Sequence, residues 1–93
     1  MDNCIFCKII SGEIPSSKVY EDDKVLAFLD ISQATKGHTL VIPKEHVRNI
    51  LEMSAETAET VFSRVPKIAR AVQKATKAIG MNILNNNEEV AGQ

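Results

Sequence analysis

The sequence predicts an α+β domain, and three observations carry that prediction. Short apolar runs bounded by turn residues occupy the first half of the chain, a single helical stripe with capping signals occupies the second, and no internal repeat or linker divides the two. At 93 residues the chain makes one domain. A domain of this size buries only about 60–65% of the surface its unfolded chain exposes, so its core is modest.

Residues 5 to 10, Ile-Phe-Cys-Lys-Ile-Ile, read as a short helical turn that stops at Ser11-Gly12, and Ile14-Pro15 holds the backbone extended beyond it. A hairpin signal follows. Lys18 to Glu21 and Lys24 to Asp30 are strand-like, with Val19, Tyr20, Val25, Leu26, Ala27, Phe28 and Leu29, and Asp22-Asp23 supplies the polar turn between them. Ser32 to Gly37 reads as a polar loop. Gly37 then opens and Pro43 closes a run in which Leu40, Val41 and Ile42 form a buried strand.

From Ser54 to Ile79 the pattern becomes helical: Ala58, Val61, Phe62, Val65, Ile68, Ala69, Val72, Ala75 and Ile79 recur at steps of three and four, so one face is buried. Ser54 is the N-cap, Glu56 and Glu59 lie near the positive end of the helix dipole, Lys74 and Lys77 near the negative end, and Gly80 suits the left-handed C-terminal position. Pro66 removes a donor mid-helix, yet the stripe keeps its phase across it, which predicts one kinked helix. Met81 to Asn85 alternates as a strand does, and Asn86 to Gln93 is a polar loop.

Composition narrows the function. Hydrophobic content of 44% and charged content of 25% are ordinary for a soluble domain, and a net charge of -1 offers no electrostatic case for nucleic acid or an acidic membrane. No apolar run approaches the roughly 18 residues of a membrane span. Met1-Asp2-Asn3-Cys4 lacks the basic and apolar regions of a signal peptide, which predicts a cytoplasmic protein whose default partner is a small ligand.

The chain has two histidines, His38 and His46, at the two ends of the Leu40 strand, where a sheet gives way to loops and chemistry is often mounted. Asp30, at the end of an apolar strand, reads first as a turn residue; a carboxylate there also suits two vicinal hydroxyls, such as those of a ribose. Cys4, Cys7 and His46 are three quarters of a tetrahedral zinc site, although the spacing leaves a redox dithiol equally open. If the strand stays extended, about 26 Å separates His38 from His46, too far for one metal. Lys67, Arg70, Lys74 and Lys77 lie opposite the apolar stripe and read as a solvated face. Ala91-Gly92-Gln93 reads by itself as a frayed tail, with a glycine that lets backbone amides approach an anion.

Taken together, Cys-Ile-Phe-Cys-Lys-Ile-Ile-Ser-Gly-Glu-Ile-Pro, Tyr-Glu-Asp-Asp, Leu-Ala-Phe-Leu-Asp-Ile and Gly-His-Thr-Leu-Val-Ile-Pro-Lys-Glu-His resemble, in order and spacing, the N-terminal two thirds of a histidine triad (HIT) protein of the adenosine phosphoramidase-like branch. The resemblance implies an antiparallel sheet with one long helix, a homodimer, and a site for a purine nucleoside monophosphate or phosphoramidate. It implies that Ile5, Phe6, Phe28 and Ile31 surround the base, that Asp30 accepts the ribose hydroxyls, that Asn86 lies near the phosphate, and that Gly92 and Gln93 are nucleotide-binding residues on the loop leading into the triad. His38 matches the outlying histidine that supports the catalytic imidazoles. The same resemblance favours zinc on Cys4, Cys7 and His46, with the first triad histidine as fourth ligand.

The His-x-His-x-His strand that follows Ala-Gly-Gln in such proteins is not among these residues. Its middle imidazole attacks the α-phosphorus, expels an amine or other leaving group, and forms a nucleotidyl-histidine that water hydrolyses. Neither His38 nor His46 matches that position. The expectation is therefore a single HIT-like domain over residues 1–93, truncated at its C-terminus, whose longer parent hydrolyses AMP- or GMP-type substrates while this stretch lacks the nucleophile. The alternative is a catalytically inactive, zinc-stabilised nucleotide-binding or interaction module.

Overall fold

A seven-residue helix opens the fold because both of its ends are capped. In the computed structural model of the chain, which describes residues 4–30, 37–91 and 93, α1 runs from Ile5 to Ser11. The Cys4 thiol accepts the Cys7 N–H at its first turn, and Gly12, at φ 86°, closes the last turn by donating its N–H to the Ile9 carbonyl. The left-handed conformation at Gly12 is one that only glycine adopts without steric cost.

Three antiparallel strands follow, β1 (Lys18–Glu21), β2 (Val25–Leu29) and β3 (Thr39–Pro43), in the order β1-β2-β3. The β1–β2 turn is built on Asp22, whose Oδ1 accepts the N–H groups of Lys24 and Val25, both at 2.8 Å. Beside it the register of β1 shifts between Lys18 and Tyr20, an irregularity that leaves Val19 without a cross-strand partner. β2 is central, and Val25 through Phe28 are all buried, as a strand covered on both faces must be. Leu26 and Phe28 face α1 and cluster with Ile9, together with Ile10, Ile14, Leu40 and Ile42. Val25 and Ala27 alternate to the other face, where α2 packs on β2 and β3.

α2 spans Ala55–Thr76 as one helix, with the Ser54 hydroxyl accepting the Thr57 N–H at its N-cap. It runs unbroken through Pro66, which lies on the exposed side of the helix, as does Phe62, the residue one turn earlier whose carbonyl loses its usual N–H partner. Val61 and Ile68 are its buried residues, while Phe62, Ala75 and Ile79 of the expected stripe are exposed. Arg64 pairs with Asp22 at 3.0 Å, and Lys67 sits 5.4 Å above the Tyr20 ring, so this helix is also tied to the hairpin.

Three expectations need correction. Leu40, Val41 and Ile42 are half-buried, because β3 is the edge of the sheet and is covered less than β2. The helix ends at Lys77, at φ 59° with its N–H on the Gln73 carbonyl, and not at Gly80. Ile79 is fully exposed, so another turn of helix would have buried nothing to offset the ordering it costs. Met81 to Asn85 is not a strand: it pairs with none of the three, and Ile83 and Leu84 lie open to solvent. Alternation alone supplies no ladder partner.

Candidate functional site

The N-terminal turn of α1 and the segment after β3 bring three metal-ligating side chains together. Cys4, the N-cap, and Cys7, on the first turn, present their sulfurs on one side of the helix start. Pro43 ends β3 and the chain turns, so His46 reaches back with Nδ1 3.1 Å from the Cys7 sulfur, across 39 residues of sequence. The ligand atoms of Cys4, Cys7 and His46 all lie within 4.8 Å of one another. Two thiolates and an imidazole around tetrahedral zinc stand about 3.5–3.8 Å apart, so an adjustment on the order of 1 Å seats them on one ion. The donor set and its spacing fit zinc at three of four positions.

Electrostatics favour one thiolate in the pair. The hydrogen bond between the two thiols, helped by the Cys7 and Phe6 backbone N–H groups, holds Cys4 below the ordinary thiol value. The same bond, with partial desolvation and the charge of Cys4, pushes Cys7 up. His38 is not part of this group. It lies at the other end of β3 and faces Asp30, with Nε2 3.8 Å from Oδ2, while the Asp30 N–H donates to the His38 carbonyl at 3.0 Å.

Asp30 is half-buried immediately after β2, where the Leu29 N–H bonds to the Ser17 carbonyl and fixes the strand end. On the α1 side, Phe6 and Phe28 meet with ring centroids 6.2 Å apart and planes tilted by 53°. Phe28 is buried and Phe6 and Ile5 are exposed, so an apolar wall open to solvent stands on the α1 face of β2, two residues ahead of Asp30. Ile31 and Gly92 lie outside the described residues.

The C-terminal segment is ordered by side chains. Asn86 is exposed on the stretch that precedes a single 3₁₀ turn, Glu89–Ala91. Gln93 does not behave as a frayed end: its Nε2 donates to the Arg48 carbonyl at 2.6 Å, and its Oε1 accepts from Asn49 at 3.0 Å and from the Glu88 N–H. Arg48 also pairs with the Glu88 carboxylate, and the Ile50 N–H donates to Asn87. Arg48, Asn49 and Glu88 were absent from the residues the sequence singled out. They carry no motif, and the bonds between them span some forty residues, which no local pattern encodes.

The pattern that defines HIT domains matches residues 11–93. Protein hit of Bacillus subtilis is 65% identical over 92 residues, covering 99% of this chain and 63% of that protein. An adenosine 5'-monophosphoramidase of Schizosaccharomyces pombe is 46% identical over 94 residues, covering 98% of this chain and 65% of that protein. An adenylylsulfatase of Arabidopsis thaliana is 44% identical over 92 residues, covering 99% and 47%. Among solved structures, a Streptococcus mutans protein superposes with a TM-score of 0.97 at 75% identity, covering 100% of this chain and 59% of that one. A histidine triad nucleotide-binding protein from Candida albicans superposes at 0.86 with 38% identity, covering 98% and 66%. The chain thus spans less than two thirds of the length of several of the proteins it matches.

Proposed function

The chain belongs to the HIT domain family, and from that premise we propose that it forms the nucleotide-binding part of a hydrolase acting on nucleoside phosphoramidates or related AMP- or GMP-type substrates. The observation that carries the reading is the Phe6–Phe28 wall followed, two residues after Phe28, by Asp30 facing His38. An apolar face suits a purine, and the adjacent carboxylate suits the two ribose hydroxyls as acceptor. Similarity to a protein named as a monophosphoramidase and to one named as an adenylylsulfatase supports the leaving-group chemistry: both names describe displacement from an adenylyl phosphorus.

In that chemistry an imidazole attacks the α-phosphorus and the P–N or P–O bond breaks. The leaving group departs with a proton, and water then cleaves the nucleotidyl-imidazole. We assign His38 a supporting part, facing the Asp30 carboxylate, and His46 a part in the metal site with Cys4 and Cys7. With both histidines of these 93 residues so placed, turnover needs an imidazole that they do not contain. The Cys4, Cys7 and His46 cluster also supports a second reading, a zinc-stabilised nucleotide-binding module without turnover. Release of ammonia from adenosine 5'-phosphoramidate separates the two.

When bound, zinc supplies a cross-link between α1 and the segment after β3, holding the helix that bears Phe6. Metal analysis of freshly reduced protein checks this assignment, with about one zinc per chain expected and its loss in the Cys7→Ser variant. Zinc-free reduced protein removes it. A second copy of the chain is the partner we propose for the exposed apolar residues Leu51, Phe62, Ile83 and Leu84. The nucleotide reading is tested by Asp30→Ala, which should weaken AMP binding about tenfold or more while leaving adenine binding unchanged. Equal AMP affinity in parent and variant would exclude the ribose role.

A further inference from the structure

The stretch from Asn85 to Gln93 carries Asn86, the residue assigned to the phosphate of the nucleotide, yet its described residues form no ladder and only one short turn. It is held by hydrogen bonds to the side chains and backbone of another segment, residues 48–50, which follows the His46 turn. Asn49 is the centre of that set. It is the one buried polar residue among the described residues, 8% exposed, and a buried amide is tolerated when its hydrogen-bonding capacity is used. Asn49 uses both amide protons: Nδ2 donates to Glu88 Oε1 and to Gln93 Oε1, each at 3.0 Å. Its Oδ1 accepts the Leu51 N–H at 3.0 Å and caps the 3₁₀ turn Ile50–Glu52.

The two residues it grips close the loop on itself. Glu88 sits at φ 75°, a backbone conformation that few side chains other than Asn and Asp adopt, and its carboxylate is shared between Arg48 and Asn49. Gln93 returns to the same point, its Oε1 also accepting the Glu88 N–H and its Nε2 donating to the Arg48 carbonyl. Removal of the Asn49 amide would take one hydrogen bond from Glu88 and one from Gln93 at once, leaving Arg48 as the remaining anchor of both.

We propose that Asn49 is a positioning residue for the phosphate end of the site: by joining Glu88 and Gln93 in one hydrogen-bonded node it holds the loop bearing Asn86 in the shape that receives the nucleotide phosphate. The inference rests on the nucleotide reading above and deepens it. The groups assigned to base and ribose stand on α1 and after β2, and Asn49 makes none of its hydrogen bonds to them. Its effect should therefore be confined to ligands that carry a phosphate.

Asn49→Asp is the sharpest variant, since it keeps the volume and the acceptor for Leu51 but replaces both donors with an oxygen facing the Glu88 carboxylate. In the intact protein, calorimetric titration with AMP and with adenosine should show AMP weakened about tenfold or more and adenosine changed less than about twofold. Glu88→Gly provides the second test should Asn49→Asp not fold, because glycine keeps the left-handed backbone while deleting the carboxylate; it should weaken AMP selectively as well. Unchanged AMP affinity in a folded variant overturns the positioning role. So does an equal loss for AMP and adenosine, which is the signature of a merely structural clip. A parent that does not prefer AMP over adenosine removes the phosphate reading itself, and that failure is visible before any variant is made.

Discussion

Ile9→Ala probes the contact on which both candidate sites rest. α1 has seven residues, whereas an isolated helix needs roughly 12–15 to be even marginally stable in water, so tertiary packing must hold it. Of its side chains only Ile9 is buried, against Leu26 and Phe28 of the central strand; Ile5 and Phe6 are open to solvent. Truncation to alanine removes three carbons, a transfer loss of about 2.4 kcal/mol at ~0.8 kcal/mol each. The sheet beneath cannot collapse into the space, and a cavity contribution raises the total to about 3 kcal/mol. Against a total stability of roughly 5–14 kcal/mol for 93 residues, the variant still folds. Urea unfolding should show that loss, amide exchange should accelerate in α1 before β2, and AMP and metal affinity should fall together, since Phe6 and Cys7 ride on this helix. A stability within ~0.5 kcal/mol of the parent, with α1 exchange unchanged, would show that Ile9 does not seat the helix and would refute the reasoning.

Two further outcomes are expected away from α1. Gly37, at φ 87°, stands where a Cβ would come 2.7 Å from Thr76 Cγ2, so Gly37→Ala should cost about 1–3 kcal/mol and shift the imidazole NMR signals of the adjacent His38. Combining it with Thr76→Ser should recover the steric part, and an unaltered melting temperature in Gly37→Ala contradicts this account. Asp22 is held well below the usual carboxylate range by the Tyr20 hydroxyl first, then by the Lys24 N–H, Arg64 and the Val25 N–H. A lowered folded-state value means that its stabilisation is present above the unfolded value of about 3.9 and is lost as pH falls further. Urea midpoints should thus change little between about pH 7 and 5 and drop below about pH 4, less steeply in Asp22→Asn, which starts from lower stability at neutral pH. A parallel acid profile for the two proteins rules Asp22 out as the acid-sensitive contact.

Much of the local structure was legible from the chain. Gly12 after an apolar turn, Asp22-Asp23 between β-rich runs, Ser54 before a long stripe: each element carries its own boundary in a few contiguous residues, because caps and turns are satisfied by neighbours. The failures share a cause. Met81 to Asn85 alternates like a strand, but a strand is defined by a partner elsewhere, and none lies beside it among the described residues. Gly80 suited a left-handed cap, yet the helix stopped at Lys77 because packing against the sheet had run out.

The sequence by itself determined the family, the α+β class and the residue types of the site, since ordered motifs and hydrophobic period are properties of the string. Tertiary structure decided which of those residues meet. It brought His46 onto Cys7 across 39 positions and turned His38 toward Asp30 instead. It also tied Asn49 to Gln93 across 44 positions and gave the apparently loose C-terminal segment its shape. Such approaches follow from how β2 is covered and where α1 and β3 end, and that global balance of burial and closure cost is written in no single stretch of the chain.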